Sequence, residues 1–406
     1  MRAVSRIDAV AALTAAGAVG LIASDQGGFF ERSWPWAGLC LGAVGALVLL
    51  NARELRMSRA GLSLVAATLA ISGWTALSWL WSSEPSNSLD EALRAPVYVA
   101  AAVAFVALAA AGGSLGLLLG VSAGTTLLAG YSLVEWHPHD RLALAGPVGY
   151  ANALGALCGI GAVVVAILGI AAWKRPLLAG PALASVAVLM AGLALSSSRG
   201  SWLAVAAGAC VVVASRGGRR FAIAAVAGVG ALEACLLGLT TFTEPGVLAA
   251  RGDYWHVAWH VARQHPLVGT GAGTYDLAWG AFGELGRWGS VLDAHSLYLE
   301  TLAELGVVGL VLVAGLAVPV FAAASRSALS ATETAALGGA VTFLVHAGLD
   351  FDWEMPAVTV AGIACLAAIG GGKATWRARN YLRFTLMGVE VAIVLGYVVY
   401  PMLHRA

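Results

Sequence analysis

Charge is scarce in this sequence. Asp, Glu, Lys and Arg make up 11% of its 406 residues, while 60% are hydrophobic. A soluble domain carries roughly a quarter charged residues. A chain this poor in charge cannot cover a water-facing surface of its own, which excludes a soluble enzyme and implies an integral membrane protein. Net charge is only +1, so no basic surplus marks a nucleic-acid partner. Cysteine is sparse as well. Cys40, Cys158, Cys210, Cys235 and Cys365 each sit within an apolar run, with no pair at metal-ligand spacing, so no disulfide framework is indicated. Two chemical motifs are incomplete. The GTGAG run at 269–273 follows no strand and lacks the Lys-Ser/Thr of a nucleotide loop. His256 and His260 stand four apart without a Glu between them, which favours interfacial or hydrogen-bonding histidines over a zinc site. No fixed-period repeat suggests a solenoid.

What the chain has instead is apolar runs. A bilayer core of about 30 Å takes about 20 residues of helix. On that rule, spans are expected near 7–24, 34–50, 60–81, 92–111, 115–134, 150–172, 177–196, 201–214, 221–241, 296–322, 334–349, 356–370 and 384–402. The fold class expected is all-α, a single polytopic domain over 1–406 with about 12–13 membrane helices. The basic N-terminal start with its long apolar stretch reads as an uncleaved first helix rather than a signal peptide. Abundant Gly and Ala favour close helix contacts inside a bundle.

Alternate loops on one side collect most of the 23 basic residues: Arg2, Arg6, Arg53, Arg56, Arg59, Lys174, Arg175, Arg216, Arg219, Arg220, Arg326, Lys373, Arg377, Arg379 and Arg383. By the positive-inside rule that side is cytoplasmic. The other side receives most of the acids, and also the exceptions Arg94, Arg141, Arg199, Arg251, Arg263 and Arg287. Arginine at a membrane boundary is costly unless paired or facing a wet cavity. Arg199 lies in a turn of serines, LALSSSRGSWLAV; Arg141 precedes the sixth span; Arg251 opens a long polar interval. Snorkelling or ordinary loop charges remain the alternative for each.

That polar interval, within an external segment over 242–295, organises the rest. A helix is expected over 251–263, stopped by Pro266, with Gly269, Gly271 and Gly273 supplying turns. Its tryptophans, with Trp279 and Trp288, read as an aromatic belt or a lid at the interface. His295 follows Asp293 and directly precedes a new span. A neutral imidazole there can accept a proton from a hydroxyl, although a helix-start histidine without chemistry fits the same position. The acids of HAGLDFDWEMP, Asp350, Asp352 and Glu354, read first as an ordinary external loop. The alternative is that they orient His295 or an arginine, or bind sugar hydroxyls.

Four stretches, in order, resemble the O-antigen ligase and polymerase superfamily. They are RLALAGPVGYANALGAL from Arg141, LALSSSRGSWLAV from Leu193, RGDYWHVAWHVARQHPLVGTGAGTY from Arg251, and AHSLYLETLAELGVVGL from Ala294. The resemblance covers the central half of the chain. It implies a GT-C-like bundle in the bacterial inner membrane, with its active site on the external face. The activity implied is that of an inverting glycosyltransferase that needs no metal or other cofactor. The donor would be a glycan on undecaprenyl diphosphate, and the acceptor the lipid A core or another surface glycan. Carried onto this chain, His295 matches the general base, and Arg199 and Arg251 match the arginines that hold the diphosphate. Arg141 matches a further basic residue, and Arg94 a weaker phosphate contact. A polymerase of the same superfamily would use the same residues. A small-anion transporter, with Glu233 and Glu390 inside spans, is the reading from another class; the lack of internal symmetry speaks against it.

Overall fold

A computed structural model of the chain describes residues 4–51, 56–137, 143–242, 249–370, 376–377 and 380–403. The apolar runs fold as helices because the chain there has no water to satisfy its backbone, and a helix satisfies it internally. In chain order these are α1 (Arg6–Ser24), α2 (Trp34–Asn51), α3 (Arg59–Ser78), α4 (Pro85–Leu108), α5 (Ser114–Glu135), α6 (Ala151–Ala171), α7 (Pro176–Leu195), α8 (Arg199–Arg216) and α9 (Arg219–Phe242). The polar interval holds α10 (Ala249–Gln264), α11 (Tyr275–Phe282) and α12 (Leu285–Trp288). The chain ends with α13 (Leu297–Ala314), α14 (Val318–Ala324), α15 (Ala331–Ala347), α16 (Pro356–Gly370) and α17 (Asn380–Leu403). The protein is an all-α polytopic membrane protein. Its only described strand pairing is a two-residue antiparallel bridge, Arg56–Met57 with Trp376–Arg377.

Every expected span is helical, but the lengths differ from expectation. Among the described residues, nine helical stretches are long and apolar enough to cross a bilayer, with Pro85–Glu135 counted as one. That stretch is two arms, α4 and α5, joined by a π-helical turn in which Gly112 has φ 100°. The helices that fall short, α8, α15 and α16, include the most enclosed: fourteen of the fifteen residues of α16 are buried. A helix shielded by other helices need not match the hydrocarbon thickness itself.

Small residues set how closely the bundle packs. A Cβ on Gly116, Gly120 or Gly124 of α5 would stand 2.1, 2.4 and 3.0 Å from the carbonyl oxygens of Asp8, Ala12 and Ala16 on α1. The matching order shows that α1 and α5 run parallel, so their N-termini share one face. Asp8 closes the contact: its carboxylate accepts from Ser5 N at 2.9 Å and Gly116 N at 3.1 Å. Arg383 reaches the open C-terminus of α2, donating to Leu49 O, where the helix dipole favours a cation. These contacts define a basic face. The loops after α3, α7 and α15, with α10 to α12, form the opposite one.

Candidate active site

Two glycines shape the floor of this opposite face. In GPVGYAN, Gly146 and Gly149 take φ of 56° and 79°, and a Cβ on Gly146 would stand 2.0 Å from Ser132 Oγ. The tight turn delivers Tyr150 and Asn152 to the mouth of α6. Both bond to Asp350, Tyr150 Oη to Oδ1 at 2.9 Å and Asn152 Nδ2 to Oδ2 at 2.5 Å. Burial and the nearby Asp350 push the Tyr150 phenol up, so it stays a donor. Into this group comes Arg251 from the first turns of α10, with Nη2 2.8 Å from Asp350 Oδ2. Asp350 is nearly enclosed, while Arg251 keeps 21% of its side chain exposed. One guanidinium nitrogen is thus anchored, and part of the side chain stays open to solvent.

His295 lies beside this pair. It takes a left-handed backbone, φ 56°, strained for a non-glycine residue. Its Nδ1 is 2.9 Å from the Asp293 carbonyl oxygen. A carbonyl only accepts, so Nδ1 carries the hydrogen and Nε2 keeps the lone pair. The ring packs on Tyr254 at 5.1 Å and on Phe351 at 4.9 Å. Tyr254 is one turn along α10 from Arg251, and Phe351 follows Asp350 and donates its N–H to that carboxylate at 2.9 Å. The imidazole and the anchored guanidinium are therefore held by one shared set of neighbours.

Arg199 opens α8 on the same face. Ser198 caps that helix by accepting from Ser201 N, and Ser197 before it has φ 57°. The Arg199 side chain is exposed, without a hydrogen bond or ion pair among the described residues. Arg141 lies outside the described residues. Arg94 is placed differently from the other arginines. It is 3% exposed, paired with Glu354 at 3.1 Å and with Glu91, and lies over the rings of Trp34 and Trp353. Two carboxylates already occupy its fork, so a phosphate would have to displace one.

Arg94 borders a cavity of about 630 Å³ lined by Phe29, Phe30, Trp34, Asn87 and eight carboxylates, among them Glu31, Asp90, Asp276 and Glu304. Three of the eight, Asp293, Glu300 and Glu354, bring oxygens within 4.8 Å of one another. Among the described residues they are the one such group with the donors a divalent cation could share. Burial, then the neighbouring Glu354, holds the Asp293 carboxyl well above the usual carboxylate range. Crowded carboxylates share protons in this way.

The acids of the 350–354 loop are thus each partnered: Asp350 by Arg251, Asp352 by His346 at 3.1 Å, and Glu354 by Arg94. The sequence favoured an ordinary loop there, because Arg251 and Arg94, 99 and 260 residues from their acids, leave no local signal. His346, Tyr150, Asn152 and Ser201 went unmarked for the same reason. A histidine inside an apolar run followed by three acids was the one available clue.

The polar interval is packed rather than loose. Trp255 and Trp279, which read as interfacial, are each 1% exposed. Trp279 packs with Val257, Ala258, Val261 and Tyr275 in a small second core. Its glycines dock the chain onto a break in α13. Gly306 leaves the helix at φ 68°, which frees backbone groups on either side. These are taken up by Thr270 N to Ala303 O at 3.3 Å, Gly271 N to Glu304 O at 2.8 Å and Val307 N to Pro266 O at 2.9 Å. The Glu304 carboxylate accepts from Gly273 N and Tyr275 N, both at 2.9 Å. His260 lies 2.9 Å from Gln264 and packs tilted against Phe282 at 4.5 Å.

Residues 183–314 match the family model described as O-antigen ligase. The match covers about a third of the chain. No curated protein matches the chain. The matched region runs from α7 to the end of α13 and contains Arg199, Arg251 and His295. Asp350, His346 and Arg94 lie outside it and are brought to it only by the fold.

Proposed function

We propose that this O-antigen ligase-like protein transfers a glycan from undecaprenyl diphosphate to an acceptor hydroxyl, by single displacement with inversion and without a metal. The reaction would take place on the external face of the bacterial inner membrane, with the basic face cytoplasmic. The observation that carries the reading is the convergence of His295 and the Asp350-anchored Arg251 within the family-matched region. The departing lipid diphosphate needs its charge stabilised, and arginine supplies permanent, bidentate contacts. Arg251 and the exposed Arg199 supply them here, with Arg141 and Arg94 as further candidates. The Nε2 lone pair of His295 takes the proton of the attacking hydroxyl, and the 2.9 Å contact to Asp293 O keeps the tautomer.

The acid-lined cavity beside them suits a sugar rather than a phosphate. Carboxylates accept hydrogen bonds from hydroxyls, and Phe29, Phe30 and Trp34 offer flat apolar faces. On this reading the acceptor, either the lipid A core or another surface glycan, enters from the cavity side, and the diphosphate stays with the arginines.

Purified protein in lipid nanodiscs, supplied with a glycan on undecaprenyl diphosphate and a surface-glycan acceptor, tests the proposal. Wild-type transfer with His295→Ala slowed about a hundredfold or more is the expected result, the usual range for losing a general base. Full activity of His295→Ala would sink the base assignment. In cells, deletion that leaves carrier-linked polymer unattached supports ligation, whereas single glycan units on the surface indicate polymerisation.

A further inference from the structure

Deep in the same face, three side chains from three elements form a line. Asp352 Oδ1 is 3.1 Å from His346 Nδ1, and His346 Nε2 is 2.8 Å from Ser201 Oγ. All three residues are at most 1% exposed, so Ser201 cannot meet a substrate and the line is not a nucleophilic triad. Its ends are informative instead. Ser201 lies in the first turn of α8, two residues after Arg199, and its hydroxyl also contacts Ser198 Oγ at 2.8 Å. Asp352 is two residues after Asp350, which anchors Arg251. His346 itself sits at the end of α15, where its carbonyl accepts from Leu349 N at 2.9 Å and Asp350 N at 3.1 Å. The first turn of α8 rests directly on it: a Cβ on Gly200 would stand 3.6 Å from Nε2. With Nδ1 bonded to Asp352 and Nε2 to Ser201, one imidazole joins both elements.

We infer that His346 is a positioning residue: through Ser201 and Asp352 it sets the α8 turn that carries Arg199 against the loop whose Asp350 holds Arg251. This rests on the proposed function, in which both arginines serve the lipid diphosphate. Two cations that must clamp one diphosphate are sensitive to their mutual placement. A buried imidazole bonded at both nitrogens is a rigid spacer between their supports.

The test is steady-state transfer in nanodiscs with undecaprenyl-diphosphate-linked glycan, comparing wild type with Ser201→Ala, His346→Ala and His346→Gln. Loss of one such bond should raise the donor KM about tenfold, with the acceptor KM within twofold of wild type. His346→Gln, whose amide reaches toward Ser201, should recover part of the loss seen in His346→Ala. If His346→Ala does not fold, Ser201→Ala carries the test, since it removes one hydroxyl and leaves the Ser198 cap in place. A donor KM within twofold of wild type in Ser201→Ala, or equal rises for donor and acceptor, would overturn the positioning role. A wild-type protein that transfers nothing sinks the proposed function instead. Hydrogen exchange then still decides the linkage: Ser201→Ala should speed exchange of the 349–352 amides, and unchanged rates there refute it.

Discussion

Arg251 and Asp350 form an ion pair in which only one partner is hidden. The Asp350 side chain is 5% exposed and the Arg251 side chain 21%, so the pair orients the arginine while leaving it partly open to solvent. Lysine could keep the charge but not the planar, two-sided contact. Arg251→Lys is therefore expected to lose about tenfold or more in transfer rate, while Tm stays close to wild type. Near-normal transfer would show that charge alone suffices at this position. Asp293 supports a second expectation. Its carboxyl is raised by burial and by Glu354, so the folded state favours the protonated form. The stability this group contributes is present below its ordinary carboxylate range and is lost as pH rises through the raised value. Asp293→Asn should accordingly raise Tm at alkaline pH and have little effect at acid pH; the opposite dependence would contradict the assignment. Residues such as His295 and Arg251 were legible from sequence because they stand out against an apolar chain. Asp350 was not, because its meaning depends on Tyr150, Asn152 and Arg251 meeting it.

Among elements, the junction of α13 with the 266–273 segment bears the most constraint. A helix broken at Gly306 within a membrane protein leaves backbone groups that must find partners, and the glycine-rich segment supplies them. A Cβ on Gly269 would stand 2.1 Å from the Glu304 backbone, and one on Gly306 2.2 Å from Leu267 O. Both glycines have left-handed φ, so alanine there is strained as well as obstructed. Gly269→Ala and Gly306→Ala should each destabilise by about 2 kcal/mol or more, read as a clear fall in Tm. Gly280→Ala, which meets nothing within 4 Å, serves as the control and should change little. The sequence showed these glycines as turn formers and excluded a nucleotide loop. That they seal a broken helix required the break to be seen, because Gly306 within an apolar run reads as one more small residue.

Over the whole molecule, the bundle sorts its chemistry by face. Arg383 and the α1 capping network stand at one end, and Arg199, Arg251, His295 and the acidic cavity at the other. Thiol labelling in intact cells can test the proposed orientation. Leu292→Cys, exposed on the site face, should react with a membrane-impermeant maleimide from outside. Ser327→Cys, exposed on the basic face, should react only after permeabilisation. The reverse pattern would invert the topology and remove the site from the external face. By itself the sequence determined the membrane class, the positions of the helical runs and the candidate histidine and arginines. Hydropathy, charge bias and motif order are local or additive properties that survive without a fold. Only the tertiary structure decided which carboxylate holds which arginine, that Arg94 is enclosed by acids, and that His346 joins α8 to the 350–354 loop. Those pairings span up to 260 residues of chain, and they exist because packing, not sequence proximity, brings their partners within hydrogen-bond reach.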